Sequence, residues 1–280
     1  MRARIWGCRG SMPTPGPSTV RYGGNTSCVE VSLDNGTLLV LDAGSGIRAL
    51  GVDLLKRGVR KVHLLLTHLH LDHLEGLRFF APLFDPKMKL EIWGPRSPVC
   101  SLEERILRSF SPPLFPIDLR TVPAEISFHD VPERPWTIDG AQLSADLIAH
   151  PGPTLGFRVE SGTSSLAYLP DHEPALGGPI AQTSRDWISG SSLAENADVL
   201  LHDAQYSNEE YGDKIGWGHS SIGDAIAFAR ASGAGRLLLF HHDPSHSDDA
   251  LERMEADAMM LASDGEELPT LAHEGMVVDV

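Results

Sequence analysis

The stretch Leu64-Leu65-Leu66-Thr67-His68-Leu69-His70-Leu71-Asp72-His73 decides the fold of this chain. The apolar run over residues 62–66 is short and ends at polar residues, a pattern that predicts a buried strand. Three histidines and one aspartate then follow within six positions. Imidazole nitrogens and carboxylate oxygens are ligands for zinc and its borderline neighbours, and both groups are costly to bury unpaired. The stretch therefore predicts a strand that presents metal ligands at its end.

This run resembles the metal-binding signature of the metallo-β-lactamase fold superfamily. The resemblance implies an α/β (α+β) fold, a four-layer αββα sandwich with a one- or two-metal site at one edge. It extends over nearly the whole chain, and no internal repeat or break in composition divides the sequence. We therefore expect one domain over residues 1–280.

Composition argues against several other classes of protein. The chain has 280 residues, 41% of them hydrophobic and 22% charged, as in an ordinary globular protein. No apolar run reaches about 18 residues, and the first residues lack the apolar centre of a signal peptide, so we expect no membrane contact. Three scattered cysteines do not make a disulfide framework, which favours a reduced cytoplasmic setting. The net charge of −15 weighs against a nucleic-acid partner.

Apolar periodicity along the chain predicts strands that alternate with helices. A first strand at residues 2–6 leads into a Gly- and Pro-rich loop that extends to residue 27. Ser11 and Asn25-Thr26-Ser27 in this loop resemble the rim of the active site in the transfer-RNA 3′-end-processing branch (tRNase Z) of the superfamily. Further strands are expected at 28–33, 37–41, 89–93, 198–203 and 235–240, within 126–169, and as a pair near the C-terminus around Glu274-Gly275. Helices are expected at 46–56, 75–83 and 97–110, after Ser221, and from residue 247.

The Pro-rich segment over residues 111–117 cannot continue a helix. It is interpreted as a lid over the site, as a contact between two copies near Pro112, or as a plain connection. A homodimer is an expectation that comes from the resemblance alone.

Ligand-type residues also end the later predicted strands. His150 and Asp171 match the next metal histidine and the bridging aspartate of the superfamily, and His241 matches its last metal histidine, with His242 as the rival. The resemblance implies a dinuclear site with three ligands for each metal and one bridging carboxylate. The first group is His68, His70 and His150, the second is Asp72, His73 and His241, and the bridge is Asp171. Asp42, which also ends a strand beside the site, is interpreted as a structural carboxylate rather than a ligand.

The ligand set also bears on the metal and on the class of activity. All the ligands are nitrogen or oxygen donors, which favours two Zn²⁺ ions and leaves Mn²⁺ or Fe²⁺ open. No cysteine stands at a ligand position, unlike the β-lactam-hydrolysing members that use one. The ligand set therefore argues against antibiotic hydrolysis.

Two further motifs resemble those of the tRNase Z branch. His202-Asp203-Ala204-Gln205 resembles its His-Glu-Ala-Thr motif, and Gly218-His219-Ser220-Ser221 resembles its Gly-His-Ser-Thr segment. The resemblance implies that Asp203 orients His219, which then donates a proton to the leaving oxygen, a role suited to histidine near neutral pH. The alternative for His219 is a helix-cap residue. His172 and Glu173 either contact substrate or cap the turn after Asp171.

These residues together predict a metal-dependent hydrolase, most specifically a phosphodiesterase. Two metals about 3.5–4 Å apart suit in-line attack at phosphorus by a bridging hydroxide, with Asp72, Asp203 and His219 as the catalytic residues. A small phosphodiester such as a 3′,5′-cyclic nucleotide is the predicted substrate, because the chain has no Lys/Arg-rich arm and its charge opposes RNA. The alternatives are a tRNase Z-like endoribonuclease, a non-catalytic metal-bound nucleotide sensor, and a carboxylic ester or thioester hydrolase.

Overall fold

The computed structural model describes residues 1–262 and 267–280. These ranges contain fourteen strands and six α-helices. The strands are β1 (Arg2–Gly7), β2 (Cys28–Ser32), β3 (Leu38–Leu41), β4 (Lys61–Leu65), β5 (Lys89–Gly94), β6 (Glu125–Asp130), β7 (Trp136–Ile138), β8 (Ala141–Leu147), β9 (Leu155–Ser161), β10 (Ser164–Leu169), β11 (Val199–Asp203), β12 (Arg236–Phe240), β13 (Thr270–Leu271) and β14 (Val277–Asp279). The helices are α1 (Ile47–Arg57), α2 (Leu71–Leu74), α3 (Leu102–Leu107), α4 (Ser191–Ala194), α5 (Ile222–Ser232) and α6 (Asp248–Leu261).

In the described ranges the strands form two mixed sheets of seven strands each. The first has the order β14-β1-β2-β3-β4-β5-β6 and the second has the order β13-β12-β11-β10-β9-β8-β7. Strands β3 to β6 are parallel to one another, and so are β10 to β13. The carboxyl ends of each parallel set therefore lie at a common edge of their sheet, which is where open α/β sheets place their ligands.

Alternating side chains along the strands separate an inner core from two outer ones. In β10, Leu166 and Tyr168 pack between the two sheets, whereas Ala167 and Leu169 pack against the helices. Helices α1 and α3 cover the outer face of the first sheet, and α4, α5 and α6 cover that of the second. Because successive side chains on a strand point to opposite faces, one strand contributes to both cores. The resulting αββα order confirms the predicted fold class.

Two of the predicted helices differ from the structure. Residues 75–83 do not form one helix but two short 3₁₀ segments, Glu75–Phe79 and Ala81–Phe84, separated by the extended residue Phe80. The helix predicted over 97–110 is limited to α3, since Ser101 is extended and caps it through a capping box with Glu104. Local capping chemistry therefore shortens a helix that apolar periodicity alone extends.

The two predicted C-terminal strands are present on either side of Glu274-Gly275, but they do not pair with each other. β13 pairs with β12 in the second sheet, whereas β14 pairs with β1 in the first. Each short strand completes the edge of a different sheet, which satisfies backbone groups that an open edge would leave unpaired. Among the described helices, none combines the length and apolarity that a bilayer crossing requires.

Candidate metal centre

The seven predicted metal ligands meet at the carboxyl edge, where the two sheets approach each other. They fall into two groups, each with its ligand atoms within 4.8 Å of one another. One group is His68, His70 and His150, and the other is Asp72, His73, Asp171 and His241. The structure therefore brings together residues that lie up to 173 positions apart in the sequence, since the first is His68 and the last is His241.

Backbone geometry at the end of β4 explains how one short stretch supplies four of these side chains. The chain leaves the sheet after Leu65, and His70 adopts an extended conformation as the N-cap of α2. Helix α2 then presents Asp72 and His73 from its first turn. The ligands of this stretch therefore come from three successive backbone conformations, which are the end of a strand, a helix cap and a helical turn.

Hydrogen bonds fix which nitrogen of His73 and His241 carries the proton. His73 Nδ1 donates to Asp42 Oδ2 at 2.8 Å, and His241 Nδ1 donates to Gln205 Oε1 at 3.0 Å. Both Nε2 atoms then carry lone pairs, yet they lie 3.4 Å apart and face each other. Two facing lone pairs do not hydrogen bond, so this arrangement calls for a cation between them.

His68 and His150 show the same pattern in the other group. His150 Nδ1 donates to the Gly218 carbonyl at 2.8 Å. His68 Nδ1 lies 3.0 Å from the Thr67 hydroxyl, which itself donates to Asp42 at 3.0 Å and can therefore accept from the ring. His68 Nε2 is buried and has no hydrogen-bond partner among the described residues. An unpartnered buried acceptor of this kind is expected of a metal ligand seen without its ion.

The Asp171 carboxylate lies between the two groups. Its Oδ2 is 2.9 Å from His73 Nε2, and its Oδ1 is 3.2 Å from His241 Nε2 and 3.8 Å from His150 Nε2. This is the place that a bridging carboxylate requires. No lysine or arginine in the described ranges forms an ion pair with Asp171 or Asp72, whose ion-pair neighbours are histidines.

The electrostatics of the group agree with a cation site. Burial opposes protonation of His73, but the charges of Asp171, Asp72 and Asp42 raise its pKa, so the carboxylates around this ring favour a positive charge there. Burial lowers the pKa of His68, which keeps that ring neutral. The donor set of imidazole and carboxylate therefore fits divalent ions of the zinc type.

Asp203 and His219 form a separate pair beside these ligands. Asp203 Oδ2 accepts from His219 Nδ1 at 2.6 Å, and the carboxylate also accepts the backbone N–H groups of Gln205 and Ser220 at 3.0 and 3.1 Å. Burial lowers the pKa of His219, but the charge and hydrogen bond of Asp203 outweigh it and raise the pKa to about 9. A ligand-type nitrogen of His219 lies within 4.8 Å of ligand atoms of His150 and Asp171.

The structure distinguishes between the alternatives left open for His219 and for the last metal histidine. Helix α5 is capped by Ser221, whose Oγ accepts from the Asp224 N–H, so His219 is not the cap residue. His242 Nε2 donates to the Ala272 carbonyl at 2.7 Å and lies outside both ligand groups, which favours His241 over its rival.

The sequence reasoning missed the role of Gln205 and left two roles open for Glu173. Gln205 orients His241, and Glu173 is buried and accepts the N–H groups of Gly216 and Gly218 at 2.8 Å each. Glu173 therefore caps a turn rather than contacting substrate directly. His172 is buried too, with its Nδ1 2.9 Å from His202 Nε2. The available signal was position in the sequence. Gln205 stands two residues after the predicted catalytic Asp203, and Glu173 stands two residues after the predicted ligand Asp171.

The Gly- and Pro-rich loop lies against the second ligand group, as predicted for a rim. The Ser11 N–H donates to Asp72 Oδ2 at 2.8 Å. Gly10 lies so close to His241 that an added Cβ would be 2.4 Å from the ring. Asn25 reaches Ser45 at the start of the α1 region, with Ser45 Oγ donating to Asn25 Oδ1 at 3.0 Å. The loop thus restrains both a carboxylate and an imidazole of the group.

Comparisons with known proteins agree with this geometry. A family described as the beta-lactamase superfamily domain matches residues 37–242. The chain is 30% identical to ribonuclease Z of Mycobacterium bovis over 233 residues, which cover 74% of this chain and 76% of that protein. The solved structure of a diphosphatase from the PhnP family has a TM-score of 0.70 at 19% identity and covers 100% of this chain and 97% of its own. The solved structure of human tRNase Z, short form, has a TM-score of 0.67 at 21% identity and covers 100% of this chain and 99% of its own.

Proposed function

Because the chain belongs to the metallo-β-lactamase fold superfamily, in its tRNase Z-like branch, we propose that it is a metal-dependent phosphodiesterase. The relatives named ribonuclease Z and the structure named a diphosphatase carry names of enzymes that act on bonds to phosphorus. The activity we propose is hydrolysis of a small phosphodiester, such as a 3′,5′-cyclic nucleotide.

The observation that carries this proposal is the position of His219 beside the candidate metal ligands. When bound, two divalent ions would supply a nucleophilic water near neutral pH and would neutralise the phosphate oxygens. The charge and hydrogen bond of Asp203 raise the pKa of His219, which favours the protonated ring that a donor to the leaving oxygen requires. Asp203 orients the ring through the 2.6 Å bond to Nδ1, which leaves Nε2 to transfer the proton.

The ligand assignment follows the two groups in the structure. His68, His70 and His150 would hold one ion, and Asp72, His73 and His241 would hold the other, with Asp171 between them. His70 is exposed, so this group opens to solvent and can admit a substrate. The homodimer and the cytoplasmic setting stay predictions.

A ribonuclease of the tRNase Z type is the second candidate, favoured by the names of the relatives. The net charge of −15 argues for the small substrate, since affinity for RNA depends on neutralising its phosphates. Hydrolysis of RNA in a salt-sensitive manner, with no activity on cyclic nucleotides or aryl phosphodiesters, would establish the second candidate instead.

The test is turnover of bis(p-nitrophenyl) phosphate by the zinc-loaded chain, its His219→Ala variant and its Asp203→Asn variant. We expect turnover in the wild type and a loss of about 10²–10⁴-fold in His219→Ala at equal zinc content, as for removal of a general acid. His129→Ala is the matched control. His129 lies on β6, an edge strand of the first sheet, and pairs with Glu91 rather than with the candidate ligands. Unchanged turnover in His219→Ala would favour ester or thioester hydrolysis.

A panel of 3′,5′-cyclic nucleotides and RNA then separates the two candidate substrates. Turnover of a cyclic nucleotide is the expected result.

A further inference from the structure

An exposed tryptophan stands directly beside the candidate acid. Trp217 lies two residues before His219, and 58% of its surface is open to solvent. The intervening Gly218 packs against His150, whose Nδ1 donates to its carbonyl. Trp217 therefore belongs to the rim of the candidate metal centre rather than to a distant surface.

The backbone on both sides of Trp217 is held by one buried carboxylate. Glu173 accepts the N–H of Gly216 at 2.8 Å and that of Gly218 at 2.8 Å, and it also accepts the Tyr211 hydroxyl at 2.9 Å. Trp217 itself donates its backbone N–H to the Lys214 carbonyl at 3.0 Å. The structure thus holds the backbone of Trp217 in place and leaves its large aromatic side chain exposed. An open aromatic surface on a restrained backbone suits stacking with a ligand ring.

A lysine without an acidic partner accompanies the tryptophan. Lys214 Nζ lies 4.4 Å from the centre of the Trp217 ring and 5.9 Å from that of Tyr206. Within residues 1–262 and 267–280, no carboxylate lies at ion-pair distance from Lys214, although the chain has a net charge of −15. The Tyr206 ring is in turn 6.1 Å from the His219 ring, so Tyr206 neighbours both the lysine and the candidate acid.

We propose that Trp217 and Lys214 form a subsite for the leaving half of the substrate, and that this half is a nucleoside carrying a second anionic group. The proposal rests on the proposed function, because His219 donates its proton to the leaving oxygen and its neighbours must contact that half. The base stacks on the open surface of Trp217, and the second anion lies near Lys214. Within the proposed class of small phosphodiesters, the subsite favours those whose leaving half bears both a ring and a second charge over a 3′,5′-cyclic nucleotide, whose single phosphate supplies no second anion for Lys214.

Binding calorimetry on the zinc-loaded chain tests this with three probes that differ by one group each. Adenosine 3′,5′-bisphosphate carries a base and two phosphates, adenosine 5′-monophosphate lacks the second phosphate, and ribose 5-phosphate lacks the base as well. We expect the monophosphate to bind about tenfold more tightly than ribose 5-phosphate, as base stacking provides. We expect the bisphosphate to bind about fivefold more tightly still, with an advantage that shrinks as salt is added.

Variants show which residue is responsible for each difference in affinity between the probes. Trp217→Ala should abolish the advantage of the monophosphate over ribose 5-phosphate, and Trp217→Phe should restore part of it. Lys214→Met should abolish only the advantage of the bisphosphate. Lys89→Met is the matched control, because Lys89 lies at the amino end of β5, the sheet edge opposite the ligands. A loss of ribose 5-phosphate binding equal to that of the monophosphate in Trp217→Ala would mean a structural role and would overturn the subsite.

The calorimetric readout distinguishes a failure of the subsite from a failure of the proposed function. If the wild type hydrolyses bis(p-nitrophenyl) phosphate but binds the three probes equally, the subsite is wrong and the phosphodiesterase stands. If the wild type shows no turnover but its binding still depends on Trp217 and Lys214 as described, the subsite stands and the catalytic proposal is wrong.

Discussion

Replacement of Asp42 by asparagine tests how the structure holds the proton on His73. Asp42 is fully buried and accepts four hydrogen bonds, from the Thr67 N–H at 2.8 Å, the Thr67 hydroxyl at 3.0 Å, His73 Nδ1 at 2.8 Å and the Tyr168 hydroxyl at 3.0 Å. Its φ of 62° lies in the left-handed region, which asparagine tolerates. The Asp42→Asn change is therefore close to a replacement of one oxygen by an NH₂ group.

The amide cannot satisfy all four donors. The Thr67 and Tyr168 hydroxyls can rotate and accept, but the Thr67 N–H and the His73 Nδ1–H cannot, and only one of them can face the remaining oxygen. If the NH₂ group faces Thr67, a buried N–H is left unpaired at a cost of about 1–3 kcal/mol. If it faces His73, the ring must move its proton to Nε2 and loses the lone pair predicted to bind metal.

Competition titration with a chelator measures the second of these costs, and thermal unfolding measures the first. We expect Asp42→Asn to weaken one of the two proposed zinc sites by about 10–100-fold, as for other partners of metal-binding histidines, and to lower stability. Tyr168→Phe is the control, since it removes one donor to the same carboxylate and leaves the His73 bond in place. Two zinc ions bound by Asp42→Asn as tightly as by the wild type, with an unchanged melting temperature, would refute the reasoning.

Two further predictions concern buried groups near the site. Gln205→Met removes the acceptor for His241 Nδ1 and should weaken zinc binding about tenfold in the same titration; unchanged affinity would mean that the amide does not set the tautomer. Burial lowers the pKa of His202 to about 4, below the value of about 6.5 expected when unfolded. The unfolded chain therefore binds the extra proton, and the free energy of unfolding should fall by up to about 1.4 kcal/mol per pH unit as pH drops from 6.5 toward 4. Urea titrations at several pH values should show that the free energy of unfolding of His202→Gln depends less steeply on pH than that of the wild type. An equal pH dependence would contradict this.

The sequence was enough to predict the fold class and the residues that meet at the candidate site, through local patterns together with the resemblance to a known family. Short apolar runs such as residues 62–66 predict buried strands, because burial on both faces requires continuous apolar side chains. Polar ligand-type residues directly after such runs, at His68, Asp171 and His241, indicate the sheet edge at which they gather. Both signals need only neighbouring residues, whereas the four-layer order of the fold and the complete ligand set were what the family resemblance implied.

Only the tertiary structure decided how those side chains are oriented and charged. The partners that set the tautomers lie far away in the chain: Asp42 is 31 residues from His73, and Gln205 is 36 residues from His241. The choice between His241 and His242 likewise depends on which of the two rings meets the Ala272 carbonyl across the fold. Proton positions follow from contacts between distant segments, because a lone pair becomes available for a metal only where another part of the chain accepts the other ring proton.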